Sequence, residues 1–254
     1  MSTYRRYVTG LGIVAAIVLF WMENPWFRPE DINPSIRTAA TLVFWLVFIA
    51  IVVLMFNDRK NAGATEVQVE GPAFARYLFS NAQAGFFWLP IRLFVGFSWI
   101  EASWHKITGG GWLDGGAALL KYWQGAAATP EPPGRAPITF EWYRDFINVL
   151  ISGHHETWFA WLVAFGELAI GVGLVLGALT GVAAFFGALM NMSFLLAGSG
   201  SSNPVLFTMA IGLILAWKVA GYYGVDRYLL PRLGTPWHAR VRRGPVVAPN
   251  PAPG

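Results

Sequence analysis

Apolar residues of this chain are concentrated in long blocks separated by polar stretches. A helix needs about 20 apolar residues, within a range of about 17–25, to cross the hydrocarbon core of a bilayer. Six blocks lie within or at the lower edge of that range, the first and fifth being the shortest. They are Tyr7–Met22, Ile36–Phe56, Phe86–Lys106, Trp158–Leu179, Gly181–Ala197 and Pro204–Gly224. This pattern predicts an all-α, polytopic membrane protein with six transmembrane helices.

The composition agrees with this class of protein. Of the 254 residues, 55% are hydrophobic and 13% are charged, which is typical of a polytopic membrane protein. The chain has no cysteine, so any redox chemistry would use a bound cofactor, a quinone or a partner subunit. The adjacent His154-His155 lacks a third ligand, and no dinucleotide-binding fingerprint is present. Neither a metal nor a flavin is therefore predicted.

The basic residues between the blocks predict the orientation of the chain. Eleven lie on one side of the predicted membrane and six on the other. The richer side carries Arg5, Arg6, Arg59, Lys60, Arg76, Lys218, Arg227, Arg232, Arg240, Arg242 and Arg243. Because cytoplasmic loops are enriched in lysine and arginine, both termini are predicted to be cytoplasmic. The net charge of +4 is then explained by membrane topology, so the predicted partners include membrane lipid and no nucleic acid.

The blocks also divide the chain into predicted domains. A transmembrane hairpin occupies residues 1–60, and a cytoplasmic linker follows at 61–85, where Gly71-Pro72 interrupts regular structure. A four-helix membrane domain spans residues 86–230, and a cytoplasmic tail covers residues 231–254.

The longest polar stretch is an outer loop at residues 107–156. Within it, Ala117–Gln124 is predicted to form a short helix, and Phe140–Ile151 has apolar residues at helical spacing. The second segment is predicted to lie flat at the membrane interface and cover the outer mouth of the bundle. Such a segment acts either as a packing lid or as a gate for substrate.

Charged residues inside the apolar blocks are the candidate chemistry. A charge in hydrocarbon costs at least about 2.5–3.5 kcal/mol on insertion scales, so such residues usually face a partner or the bundle interior. Arg92 and Glu101 lie in the third block, and Glu167 is the lone charge of the fourth. Counting a rise of about 1.5 Å per residue predicts a buried Arg92–Glu167 pair with Asn191 nearby. Such a pair either fixes the helix register or takes part in function.

Helical spacing sorts the side chains of the third block onto two faces. One face carries Arg92, Gly96, Trp99, Ser103 and Lys106. Glu101 and His105 share another face. A carboxylate, a histidine and an amide beside aromatic rings could hydrogen-bond a quinone head group and exchange protons with it. His105 and Lys106 also predict a cationic mouth for an anion, unless each only extends to the membrane interface.

Four stretches of the chain form a recognisable series. The first is Arg92-Leu93 with Gly96 and Lys106-Ile107, and the second is Gly166-Glu167-Leu168 with Gly171, Leu174 and Gly177. The third runs from Gly187–Asn191 through Leu196-Ala197-Gly198 to Asn203-Pro204, and the fourth is Gly221–Pro231. In these stretches the chain resembles the DoxX/DoxD family of membrane proteins. The resemblance begins near residue 86 and leaves the N-terminal hairpin outside.

The resemblance implies a four-helix DoxX-like bundle in a prokaryotic plasma membrane. It also implies a subunit of a quinone-linked oxidoreductase, because the family's DoxD protein is part of thiosulfate:quinone oxidoreductase together with a separate DoxA chain. A DoxA-like partner and a small sulfur anion as electron donor are therefore expected. The catalytic candidates are Glu167, Arg92 and Glu101. The candidates for binding substrate or quinone are His105, Lys106, Trp99, Asn191 and Asn203.

Two other functions fit the same sequence. One is a non-catalytic membrane anchor or assembly subunit that docks a partner redox protein, with the buried pair fixing the packing. The other is a small-solute transporter, against which the sequence shows no inverted repeat and no paired broken helices. An oligomer is compatible with each of these functions.

Overall fold

The computed structural model of the chain describes residues 10–14, 17, 34–58, 71–131 and 134–234. This part is helical and contains no strand, which confirms the all-α prediction for it. The helices are α1 Pro34–Asp58, α2 Ala73–Ser80, α3 Gly85–Thr108, α4 Ala117–Ala127, α5 Glu141–Ser152, α6 Glu156–Leu176, α7 Thr180–Leu196, α8 Asn203–Leu215, α9 Trp217–Ala220 and α10 Asp226–Arg232. Residues 10–14 and 17 are also helical and belong to the first apolar block. The other residues of that block, and the tail beyond residue 234, lie outside the described residues.

Both helices predicted in the outer loop are present. Helix α4 begins at Ala117 as predicted and continues to Ala127, three residues beyond the predicted end. Helix α5 covers the predicted amphipathic segment, and its buried side is formed by Tyr143, Ile147 and Leu150. The spacing of three and four residues between these positions is the one that predicted the helix.

The prediction that the sixth block forms one continuous helix is wrong. Pro204–Gly224 is not one helix, because α8 ends at Leu215 and only the four residues of α9 follow before a turn. The turn belongs to a segment whose backbone bonds to the end of α6, with the Val225 N–H donating to the Leu176 carbonyl at 3.1 Å. The linker predicted at 61–85 is also more regular than expected, since it contains α2 and a 3₁₀ turn at Ala82–Ala84.

Helix α6 is the one described helix that is long and apolar enough to cross a membrane on its own. Shorter apolar segments lie at Thr38–Ile51, Thr180–Leu196 and Asn203–Leu215. Helix α3 is long enough at 24 residues, but Arg92, Glu101 and the His105-Lys106 pair lower its hydropathy. The placement of all six spans in a bilayer is therefore a proposal.

The chain divides into two compact units, and the candidate site lies wholly in the second. The first unit comprises residues 1–71, 120–155 and 196–198, and the second comprises residues 72–119, 156–195 and 199–254. Within the first unit, Ile138 is fully buried and its carbonyl accepts a hydrogen bond from the guanidinium of Arg144.

In the second unit, α3 and α6 pack closely because glycines meet where they cross. A Cβ atom on Gly96 would lie 3.1 Å from the carbonyl oxygen of Gly171, and one on Gly171 would lie 2.8 Å from that of Gly96. Small residues of this kind let helix backbones approach. As residue numbers rise along α3, the contacted positions on α6 fall, so the two helices are antiparallel. Trp88, Val95 and Leu174 belong to the core that this packing buries.

Helix α6 ends at a glycine turn that directs α7 back along it. Gly177 has φ +64°, and the N–H groups of Gly177 and Ala178 donate to the carbonyls of Leu174 and Gly173 at 3.2 and 2.8 Å. This pair of bonds is the Schellman arrangement, in which a residue with left-handed backbone closes the helix. Helix α7 then packs on α6, with Gly187 beside Ile170.

Candidate functional site

A buried ion pair joins α3 to α6. The Nζ atom of Lys106 lies 2.8 Å from Oε2 of Glu167, whose side chain is 1% exposed, whereas that of Lys106 is 17% exposed. The same ammonium donates to the Ala102 carbonyl at 3.3 Å and lies 5.1 Å from the ring centre of Trp112. The charge of Glu167 is thus neutralised by a lysine at the end of α3.

The predicted Arg92–Glu167 pair is wrong. Arg92 precedes Lys106 by 14 residues, which is about 21 Å along a helix. Because α3 and α6 are antiparallel, Glu167 lies near the Lys106 end of α3 and Arg92 near the other end of α6. The prediction correctly identified a buried charge on α6 but assigned it the wrong partner.

Glu167 belongs to a layer of polar groups that spans three helices. Trp99, Ile170 and Gly187 meet at one level, since a Cβ on Gly187 would lie 3.2 Å from both Nε1 of Trp99 and Cγ2 of Ile170. One helical turn further toward the Lys106 end, the same three helix faces carry Ser103, Glu167 and Asn191. All three are buried. We call Trp99, Ser103, Lys106, Glu167 and Asn191 the polar layer.

Two members of the polar layer have hydrogen-bonding atoms without a partner among the described residues. Asn191 is fully buried, yet neither its Nδ2 nor its Oδ1 atom is bonded, and the indole Nε1 of Trp99 is also unbonded. Ser103 differs, because its hydroxyl donates to the Ala164 carbonyl at 2.8 Å. Leaving a buried polar group unpaired costs about 1–3 kcal/mol, so native proteins rarely keep such groups without a use. The layer therefore offers amide and indole donors and one acceptor beside a buried carboxylate.

Arg92 occupies a different place, a socket lined by glycines. Its Nη2 donates to the Tyr223 carbonyl at 3.2 Å, and its side chain is buried. A Cβ on Gly224 would lie 2.5 Å from Nη1, and a Cβ on Gly177 would overlap the same atom. The guanidinium therefore fills space that only these two glycines leave open.

Asp226 is the counter-charge of Arg92 and was not among the predicted site residues. Its carboxylate attracts the guanidinium, and it also accepts the N–H groups of Leu179 at 2.6 Å and Thr180 at 2.8 Å. A carboxylate in this position caps the first turn of α7 and favours its positive dipole end. The Asp226 N–H donates to the Gly177 carbonyl at 2.7 Å, which ties α10 to the same turn. The Arg92 end of the bundle is thus a structural lock.

The remaining predicted residues lie away from the polar layer. Glu101 and His105 are exposed on the side of α3 that faces away from the polar layer. Asn203 is used locally at the start of α8, where its Nδ2 donates to the carbonyl and hydroxyl oxygens of Ser199 at 2.9 and 3.3 Å. Of the eight predicted residues, Lys106 and Glu167 form an ion pair, and Trp99 and Asn191 are buried on helix faces at adjacent levels.

The sequence contains partial signals for the roles of Lys106 and Asp226. The helical spacing puts Lys106 on the same face as Trp99, but it favours a cationic mouth or the membrane interface for the ammonium and gives no sign of the contact with Glu167. Asp226 lies in the Gly221–Pro231 stretch that carried the resemblance, where its spacing gave no indication of a cap for α7. Across the described residues, no group of three or more His, Cys, Asp or Glu side chains could hold a metal ion.

Comparison with known proteins adds no assignment. No protein-family model matches the chain, and no curated protein or solved structure matches it. The resemblance to the DoxX/DoxD family thus depends on its four sequence stretches alone. The chemistry of the polar layer is therefore the main guide to function.

Proposed function

We propose that this chain is an integral membrane subunit of a quinone-linked oxidoreductase, and that its polar layer binds the quinone head group. The observation that carries the proposal is the pair of buried, unbonded groups, Asn191 and Trp99, in the same layer as the Lys106–Glu167 ion pair. The proposal includes six membrane spans in a prokaryotic plasma membrane, with both termini in the cytoplasm. The resemblance to DoxX/DoxD proteins supports the same class of function.

The free atoms of the polar layer fit the oxygens of a quinone. A quinone oxygen accepts hydrogen bonds, and the Nδ2 group of Asn191 and the indole N–H of Trp99 are donors that need an acceptor. The Oδ1 atom of Asn191 can accept from the hydroxyl of the reduced form. When bound, a quinone supplies the two-electron chemistry, while the protein residues orient its oxygens and exclude bulk water.

Glu167 is the residue we assign to proton exchange. Its carboxylate lies at the level of Asn191, one helical turn from Trp99, and is held by the Lys106 ammonium, which connects it to the less buried end of α3. A positioned carboxylate of this kind contributes about 10²–10⁴-fold to a reaction that needs a proton in its transition state. The Lys106 ammonium stabilises the ionised form of Glu167.

The electron donor and the partner subunit come from the resemblance alone. It points to a DoxA-like chain and to thiosulfate or another small sulfur anion. A thiosulfate dehydrogenase of the quinone-dependent type is accordingly the activity to test first.

A non-catalytic anchor or assembly subunit is the second candidate. The lock formed by Arg92, Asp226 and Gly177 favours it, because its hydrogen bonds join α3 to Tyr223 and α10 to the start of α7. In that case the Lys106–Glu167 pair would likewise only fix the packing of α3 on α6.

The test is quinone reduction by membranes that contain the protein, with thiosulfate as donor. Glu167→Gln keeps an oxygen that accepts from Lys106 but removes the exchangeable proton. We expect its rate to fall by about 10²-fold or more at normal protein abundance. The matched control is Asp145→Asn, which alters an exposed carboxylate on α5 and should leave the rate unchanged. A Glu167→Gln rate equal to wild type would contradict the proposal, and a parallel loss of protein and activity would favour the anchor.

A further inference from the structure

Within the described part of the chain, the side of α3 that faces away from the polar layer is exposed along the helix. The exposed positions follow one another at alternating intervals of three and four residues. They are Phe87, Pro90, Phe94, Phe97, Glu101, Trp104 and Thr108. Phe94, Phe97 and Trp104 are each more than half exposed. We call this set, together with the exposed His105 beside it, the α3 seam. Its spacing is that of a surface on which another helix packs side by side.

The α3 seam carries an acid and a base that have no use within the described part of the chain. Glu101 and His105 are exposed one helical turn apart, and neither side chain makes a hydrogen bond or ion pair with another described residue. Glu101 is seven residues from the end of α3, which is about 10 Å along the helix. With α3 in a bilayer, lipid would cover Glu101 only at a cost of about 2.5–3.5 kcal/mol. The seam is therefore a surface that needs a polar partner.

We infer that the α3 seam is the contact with a second copy of this chain. Two copies in one membrane share their orientation, so a two-fold axis along the membrane normal places equal residues at equal depth. Glu101 of each copy then lies within one helical turn of His105 of the other. The two-fold axis therefore forms two equivalent Glu101–His105 pairs between the copies. The aromatic rings of the two seams pack against each other.

The charges favour a second copy over an unrelated partner. A self-complementary surface needs one acid and one base close together on one face, and the seam provides both. An unrelated helix would have to carry its own base and acid at matching depths. This inference depends on the membrane placement of α3 given under Proposed function and does not depend on quinone binding.

The sequence has no cysteine, so a single introduced cysteine cannot form a disulfide within the chain, and a cross-linked product of twice the chain's mass reports a second copy. Phe97→Cys and Trp104→Cys are made separately in the full chain, and disulfide formation is measured in native membranes with a mild oxidant. The matched control is Leu189→Cys on α7, which is about as exposed as Phe97. All three positions are exposed, so the substitutions leave the core intact. We expect dimers from the two seam variants and not from the control.

A charge exchange then tests the acid and base. In the Phe97→Cys background, Glu101→Lys should reduce dimer formation by about threefold or more, the range expected for an interhelical polar contact. Adding His105→Glu should restore it, because the exchanged pair is again self-complementary. The inference is overturned if neither seam variant forms dimers, if Leu189→Cys forms them equally, or if the exchange does not restore them.

The cross-linking result does not depend on whether the proposed quinone-linked function is correct. Cross-linking is scored without turnover, so dimers in membranes that reduce no quinone would leave the α3 seam as an interface. Rapid modification of the Phe97→Cys variant by a membrane-impermeant thiol reagent, in place of dimer formation, would put α3 in water and overturn the inference.

Discussion

Replacing Lys106 with methionine is expected to lower the free energy of unfolding by about 3–5 kcal/mol. The methionine keeps most of the volume but leaves the Glu167 carboxylate buried without its counter-charge. Removing one member of a buried pair costs far more than the intact pair contributes, since the remaining charge is neither solvated nor neutralised. The measurement is the thermal unfolding midpoint of the purified protein in detergent, which should fall by about 10 °C for a chain of this size.

Two further variants distinguish the effect of the unpaired Glu167 charge from the effect of losing the Lys106 side chain. Lys106→Met combined with Glu167→Met should recover most of the stability, because replacing both members by apolar residues is often neutral. Lys121→Met removes an exposed lysine on α4 and should leave the midpoint unchanged. If the single Lys106 variant were as stable as wild type, the ion pair would not be the buried contact seen in the structure.

Among glycine-to-alanine substitutions in the described part of the chain, Gly177→Ala is expected to lower the free energy of unfolding most. The added Cβ would overlap Nη1 of Arg92, and the residue has φ +64°, which alanine adopts only with strain. Moving the guanidinium would break its bond to the Tyr223 carbonyl and separate it from Asp226. We expect a loss of more than about 4 kcal/mol, seen as a greatly lowered unfolding midpoint or loss of folded protein.

Gly234→Ala is the control that measures backbone strain alone, without the overlap with Arg92 that Gly177→Ala creates. Gly234 has φ +74° but no atom of the described residues within 4 Å of its added Cβ. Alanine there should therefore cost only about 1–2 kcal/mol, the usual penalty of a left-handed backbone. Equal effects of the two substitutions would mean that Arg92 does not fill the glycine socket.

The sequence predicts most features that depend on one helix alone. The face of α3 that carries Arg92, Trp99 and Ser103 is buried as the spacing indicated, and Glu101 and His105 share the other side. Such predictions succeed because the angular position of a side chain is set by the 100° turn of its own helix.

Contacts between helices are where sequence reasoning fails. The partner of Glu167 depends on how far α3 and α6 slide along each other, and this is set by the close approach of Gly96 and Gly171. Counting depth from estimated helix ends cannot supply that offset. The segment after the sixth block likewise depends on contacts distant in sequence, since the Asp226 carboxylate accepts the N–H groups of Leu179 and Thr180.

The central claim is that Asn191 and Trp99 bind a quinone in the polar layer. The most direct measurement is equilibrium binding of a short-chain quinone to the purified chain, wild type against Asn191→Leu. We predict saturable binding to wild type and an affinity lower by about tenfold or more in the variant, since a buried hydrogen bond is lost. Leucine should not destabilise the fold, because it removes unbonded polar atoms from the core. Absence of saturable binding to wild type, or equal affinity in the variant, would contradict the claim.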